Sequence, residues 1–212
     1  MNAKKLAFVI VDISGYTQFI RSHKLSAVHA EEIIFDLLEA VIAHADYPLT
    51  LNKLEGDAAF LYTEVTDEKQ TEIARDALRQ AREFFTVFSE RARALSQERA
   101  DCDCDACQRI LDLKIKVVLH AGEAVFRTIC QSEELAGEDV ILVHHLLKNS
   151  IPSNEYILMT EAFRCLVKDQ AGLSLEKRLE SYGDLGEVVI HVAFPRRKNE
   201  PEPWPPIYFQ FF

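Results

Sequence analysis

Two acids stand where acids are costly. Asp12 ends the apolar run Leu6-Ala-Phe-Val-Ile-Val11, and Asp57 closes Glu55-Gly56-Asp57, which splits the short runs Leu49–Leu54 and Ala58–Tyr62. The first run is unbroken and rich in β-branched and aliphatic residues, so it reads as a strand buried on both faces. The second pattern reads as a tight hairpin with Gly56 supplying the turn. A carboxylate at the exit of a buried strand is unfavourable unless something compensates it, and a metal ion compensates it well. Two such carboxylates on neighbouring strand ends can hold divalent cations through hard oxygen ligands. Gly15, just after Asp12, lets backbone N–H groups approach an anion closely. Surface acids that merely cap a turn or the next helix are the plainer alternative.

A second constellation is Cys102-Asp-Cys104-Asp-Ala-Cys107. A Cys-x-Cys-x-x-Cys loop can place three thiolates around a soft ion such as Zn2+, with a fourth ligand from elsewhere. Asp103, Asp105, Cys130, a His or a partner chain could supply it. Cys130 and Cys165 lie apart, and an odd total of five argues against a disulfide framework. Free loop thiols or a redox-sensitive pair are the other readings. The loop joins a helix to a strand, so a metal there is expected to stabilise or regulate rather than catalyse.

The elements that must position these residues follow from periodicity. Ser26 can cap a helix to about Ala45, with Ile33, Ile34, Leu37, Leu38, Val41 and Ile42 on one face. Tyr47-Pro48 ends it, and the hairpin of Leu49–Lys53 and Ala58–Thr63 follows. A long helix is expected from about Glu68 to Arg99, capped by Asp67, with Ile73, Ala77, Leu78, Ala81, Phe84, Phe85 and Phe88 as core stripe. Leu111–His120 reads as a central strand, with Glu123–Ile129 as its partner across Ala121-Gly122. Gly137–Ser150 looks helical, Tyr156–Met159 is a strand, Thr160 caps a helix to about Val167, and Gly186–Phe194 is a last strand. The progression βαββαβ predicts an α+β sandwich of the ferredoxin-like kind, a mixed sheet with helices on one face. Residues 1–194 read as one domain and 195–212 as a Pro-rich tail ending in Ile207–Phe212, which must pack somewhere.

Composition narrows the function classes. A chain of 212 residues with 48% hydrophobic and 27% charged residues is an ordinary globular domain. Its net charge of −10 argues against general nucleic-acid affinity. Nucleotide binding remains open, because divalent metals supply positive charge locally. The apolar run after Met1-Asn-Ala-Lys-Lys is too short for a signal peptide, and none is long enough to span a bilayer. No membrane association and a cytoplasmic location are expected.

Asp12-Ile-Ser-Gly-Tyr-Thr17 and Lys53-Leu-Glu-Gly-Asp57-Ala58 resemble the two metal-binding motifs of the class III nucleotide cyclases. Leu119-His-Ala-Gly-Glu123 is similar to the family's next strand, and Gly137–Leu146 to its transition-state helix. The motifs fall in family order across residues 6–150. The resemblance implies that Asp12 and Asp57, with the Ile13 carbonyl, bind two Mg2+ or Mn2+ ions. It implies that the backbone of Gly15, Tyr16 and Thr17 holds phosphate oxygens. Lys53 and Glu134 would read the base of a nucleoside triphosphate, with ATP favoured. It further implies a homodimer, each site drawing metal acids from one chain and base-reading and transition-state residues from the other.

Two positions depart from that pattern. Where the family carries Asn and, four residues on, Arg, this chain has Ile141 and His145. Ile141 cannot hydrogen-bond, and His145, the candidate catalytic cation, is largely neutral at pH 7 if unperturbed. Neighbouring His144 is a possible substitute, and His191 lies near the position of the family's triphosphate-binding Lys. Three functions stay open: a weak cyclase releasing cyclic nucleotide and pyrophosphate, an inactive nucleotide- or metal-binding signalling module, or an interaction domain held by the Cys loop.

Overall fold

The computed structural model describes residues 3–16, 19, 27–168 and 172–195. Thr17, Ser26 and the tail beyond 195 lie outside that set. The buried run after Lys5 forms strand β1 (Lys4–Ser14), followed by helix α1 (Ala27–His44) and the hairpin β2 (Thr50–Glu55) and β3 (Ala58–Glu64). Then come the long helix α2 (Gln70–Glu98), the single turn α3 (Asp105–Gln108), β4 (Lys114–Ile129), β5 (Ser132–Ala136) and α4 (Glu138–His145). Strand β6 (Tyr156–Thr160), α5 (Glu161–Val167), β7 (Glu176–Tyr182) and β8 (Gly186–Ala193) complete the described elements.

Together they make the expected α+β sandwich with a mixed sheet. The long helices cover one face and, beyond the one-faced arrangement expected, the short α4 packs on the other because β1 is apolar on both sides. Among the described residues the sheet has eight strands in the order β2-β3-β1-β4-β6-β8-β7, with β5 folded onto the end of β4. Pairing is antiparallel except between β4 and β6, so the sheet is mixed. Strand β1 sits between β3 and β4 and is buried on both faces, as its unbroken apolar run requires. Ala7, Val9, Val11 and Ile13 pack with Ile34, Leu37 and Val41 of α1 and Phe84, Phe85 and Phe88 of α2. On the opposite face Leu6, Phe8 and Ile10 meet Val140 and Val143 of the short α4. Each such large side chain stabilises the fold by about 1.5–3 kcal/mol on burial, so the two faces together hold β1 firmly.

Several boundaries moved for identifiable reasons. Asp67 does not cap α2: its carboxylate accepts from Lys5 Nζ at 2.7 Å, and the helix starts later, behind Lys69, with no side-chain cap. Thr160 does cap α5, accepting from Phe163 N. The expected break at Ala121-Gly122 is absent, and β4 runs through it for 16 residues. Its far half pairs with β5, in register Val125↔Ala136 to Ile129↔Ser132. Gly122 serves close approach instead of a turn. A Cβ there would lie 2.1 Å from Asp139 Cγ. That carboxylate accepts from Glu123 N at 2.6 Å and bonds His120 Nε2 at 3.0 Å, while His120 Nδ1 meets Thr160 Oγ1 at 2.9 Å. The start of α4 is thereby fastened to β4 and β6. Burial, opposed by Asp139, lowers the pKa of His120.

Gly122→Ala should evict Asp139 from both bonds and cost about 2–4 kcal/mol in denaturant unfolding. A loss below roughly 0.5 kcal/mol, the ordinary range of a surface change, would contradict this account of the fastening.

Candidate functional site

The antiparallel pairing of β1 with β3 sets Asp12 opposite Ala58, the residue after Asp57. The Ile13 N–H donates to the Asp57 carbonyl at 3.0 Å, so the two acids, far apart in sequence, leave adjacent strand ends. Gly56, at φ +65°, makes the turn that presents Asp57. The Asp12 side chain is only 13% exposed and pairs with Lys116 Nζ at 2.9 Å, a lysine opposite it on β4. Burial nevertheless raises the Asp12 pKa, outweighing Lys116. Asp57 is pushed up to about 6, first by burial and then by the charge of Asp12. One ammonium therefore faces two mutually repelling carboxylates, and Lys116 also donates to the Leu147 carbonyl at 3.1 Å.

That donor set suits a hard divalent cation: oxygen ligands, an excess of negative charge and partial exclusion of water. Next to Ile13, the Ser14 hydroxyl is buried and finds no hydrogen-bond partner among the described residues. Gly15, at φ +86°, starts a helical turn in which its carbonyl accepts from Phe19 N at 2.8 Å. Tyr16 lies half-buried in that turn, while Thr17 falls outside the described residues.

Lys53 of β2 and Glu134 of β5 meet across 81 positions, Nζ to Oε2 at 3.2 Å. Lys53 also reaches Glu55 Oε1 at 3.3 Å, and these carboxylates raise its pKa against the larger opposing effect of burial. Around the pair, Asn52 Nδ2 donates to the Glu133 carbonyl at 3.2 Å and the Tyr62 hydroxyl to Glu133 Oε1 at 3.4 Å. His144 Nε2 lies 2.9 Å from Glu55 Oε2, its ring edge-on to Phe60 with centroids 4.9 Å apart. Its Nδ1 donates to the Val140 carbonyl at 2.7 Å. His145 is exposed, its ring centroid 6.1 Å from that of Tyr182, and Ile141 is 54% exposed. His191 is engaged by Glu161.

The three loop cysteines do converge. Their sulfurs surround Nδ1 of His29, from α1, at 3.6 Å for Cys102, 3.5 Å for Cys104 and 3.7 Å for Cys107. Of the possible fourth ligands it is a histidine that the fold brings in. Cys130 and Cys165 are exposed, and Cys130 occupies the β4–β5 turn at φ 58°.

Sequence reasoning missed Lys116, His29 and the His120–Asp139 pair. Lys116 had a signal, a lone cation in the apolar strand Ile115–Leu119. His29 had none, because only the tertiary packing of α1 against the Cys loop brings it there.

Comparison with known proteins agrees with this architecture. The chain is similar to the adenylyl cyclase CyaB from P. aeruginosa, with a TM-score of 0.68 and 18% identity over 94% of this chain and 98% of that one. It is also similar to the guanylyl cyclase Cya2, with a TM-score of 0.66 and 14% identity over 95% and 98% of the two chains. At such identities the likeness is one of fold: this is a cyclase-like domain. The uncharacterised protein Rv2561/Rv2562 of Mycobacterium tuberculosis is 36% identical over 157 residues, 73% of this chain and 70% of its own length. Residues 34–156 match the family described as a protein of unknown function, DUF2652. The chain therefore belongs to the DUF2652 family, on a class III cyclase-like fold.

Proposed function

We propose that this protein binds a nucleoside triphosphate, with ATP favoured, and as a homodimer converts it slowly to a cyclic nucleotide and pyrophosphate. The observation that carries the reading is the Lys53–Glu134 pair, formed at 3.2 Å between segments 81 positions apart on the same sheet that pairs β1 with β3. An ammonium donor beside a carboxylate acceptor matches the acceptor N1 and donor amino group of adenine. Guanine presents the reverse pattern.

Asp12, Asp57 and the Ile13 carbonyl would hold Mg2+ or Mn2+. Bound there, such an ion favours deprotonation of the ribose 3′-hydroxyl and neutralises triphosphate charge. Lys116, which pairs with Asp12 at 2.9 Å, could turn its ammonium to a phosphate oxygen once a cation held Asp12. Backbone N–H groups of Gly15 and Tyr16 would add donors at the same end of β1. What is missing is strong stabilisation of developing phosphate charge. Ile141 donates nothing, and His145 carries charge only when protonated. Each lost donor costs about 10²–10³ in rate. The exposure of Ile141, 54%, also favours a second reading, a signalling module that binds nucleotide without turnover.

Incubation with ATP and Mn2+ should give cyclic AMP above the level of an Asp57→Asn variant, with GTP a poorer substrate. Ile141→Asn with His145→Arg should raise the rate at least about tenfold. Binding of ATP without product from either protein would leave the module reading. No binding of any triphosphate with Mn2+ would overturn both.

The carboxylate pair also sets a pH dependence. Asp57 takes up its proton more readily folded than unfolded, so its contribution to metal-free stability is present below about pH 4. That contribution is lost as pH rises through about 6. Asp57→Asn should therefore stabilise the metal-free protein above pH 6, by on the order of 1 kcal/mol once solvent screening is allowed for. The gain should vanish below pH 4, and added Mn2+ should raise the melting temperature of the parent protein only.

A further inference from the structure

We propose that His29, Cys102, Cys104 and Cys107 form a structural Zn2+ site that clips α1 to the connection between α2 and β4. This is independent of the nucleotide site. The geometry carries it. A single ring nitrogen, Nδ1 of His29, has sulfurs at 3.5, 3.6 and 3.7 Å, and the ligand atoms of all four residues lie within 4.8 Å of one another. An imidazole nitrogen offers one hydrogen or one lone pair, so it cannot satisfy three sulfurs by hydrogen bonding. A shared cation can. Tetrahedral zinc, with Zn–S of about 2.3 Å and Zn–N of about 2.0 Å, separates nitrogen from sulfur by about 3.5 Å. The observed distances match that value on all three edges.

The surroundings fit the same ion. Cys104 is the N-cap of α3, and its sulfur accepts the Cys107 N–H at 3.5 Å, the bond a metal-bound thiolate retains. Gln108 Nε2 donates to the Cys102 carbonyl at 2.9 Å and braces the loop. Arg99, just past the end of α2, pairs with Glu32 of α1 at 3.0 Å and lies close enough to Cys107 for their charges to interact. Three thiolates and one Zn2+ leave one negative charge, which that guanidinium offsets. Cys107 is buried, and the half-buried Cys102 and Cys104 pack against the main core; with four protein ligands, no coordination position is left open for substrate. Thiolate-rich sets select zinc over Mg2+ or Ca2+. Four protein ligands with no vacant position mark a structural ion, one whose binding energy is folding energy.

The test is metal content, not activity, so it is unaffected by whether the cyclase reading holds. The full chain, purified without metal-affinity steps and supplied with zinc, should contain about one zinc per chain. His29→Ala and Cys104→Ser should each lose most of it. Cobalt substitution in the unmutated chain should give a thiolate-to-metal charge-transfer band and the intense d–d bands of a tetrahedral site. In the native protein only Cys130 and Cys165 of the five cysteines should react rapidly with a thiol reagent. All five should react after chelation, with a lower melting temperature. A folded chain that takes up neither zinc nor cobalt, or whose five thiols react together from the outset, would overturn the proposal.

Discussion

The pairing of β1 with β3 is the constraint on which the site depends. Seven consecutive partner positions, from Leu6↔Glu64 to Asp12↔Ala58, fix the register. A slip of one residue would exchange the faces of every side chain on β1 and bury the wrong set. With the register held, Asp12 and Asp57 must leave the sheet side by side. The carboxylate pair is thus a consequence of how the apolar residues of β1 alternate between two cores. Its cost is electrostatic: half-buried acids near one another, balanced by a single lysine.

The two faces of the sheet divide the labour. One carries α1 and α2 and supplies most of the apolar burial. The other carries the short α4, which is anchored where Asp139 enters the space left by Gly122 and bonds His120 and the Glu123 amide. That anchor positions the helix bearing Ile141, His144 and His145. In the proposed reading, a cyclase-like scaffold is thereby kept intact around positions whose donors have changed. His144 is occupied with Glu55 and Phe60, and His145 lies toward Tyr182.

How far all this was legible depended on how local its causes are. The run Leu6–Val11 announced β1, Gly56 announced the hairpin, and the three cysteines announced a clustered loop, because each signal lies within a few residues. Strand β5 was not legible: Ser132-Glu-Glu-Leu-Ala136 favours helix by propensity, and only pairing with β4 makes it a strand. Strand β7, Glu-Lys-Arg-Leu-Glu-Ser-Tyr, is a polar edge without a buried alternation strong enough to read. Gly122 was misread as a turn because close approach and chain reversal leave the same residue behind. Lys116 and His29 owe their roles to partners more than seventy positions away, Asp57's neighbour Asp12 and the Cys loop respectively.

The central claim is that Asp12 and Asp57 together hold a divalent cation. Crystals grown with Mn2+ and a non-hydrolysable ATP analogue, measured for anomalous scattering, test it most directly. The account predicts an Mn2+ peak about 2.0–2.5 Å from carboxylate oxygens of both residues, with Lys116 withdrawn from Asp12. Well-ordered density showing the Lys116–Asp12 pair intact, and no anomalous peak between the two acids at saturating Mn2+, would contradict it.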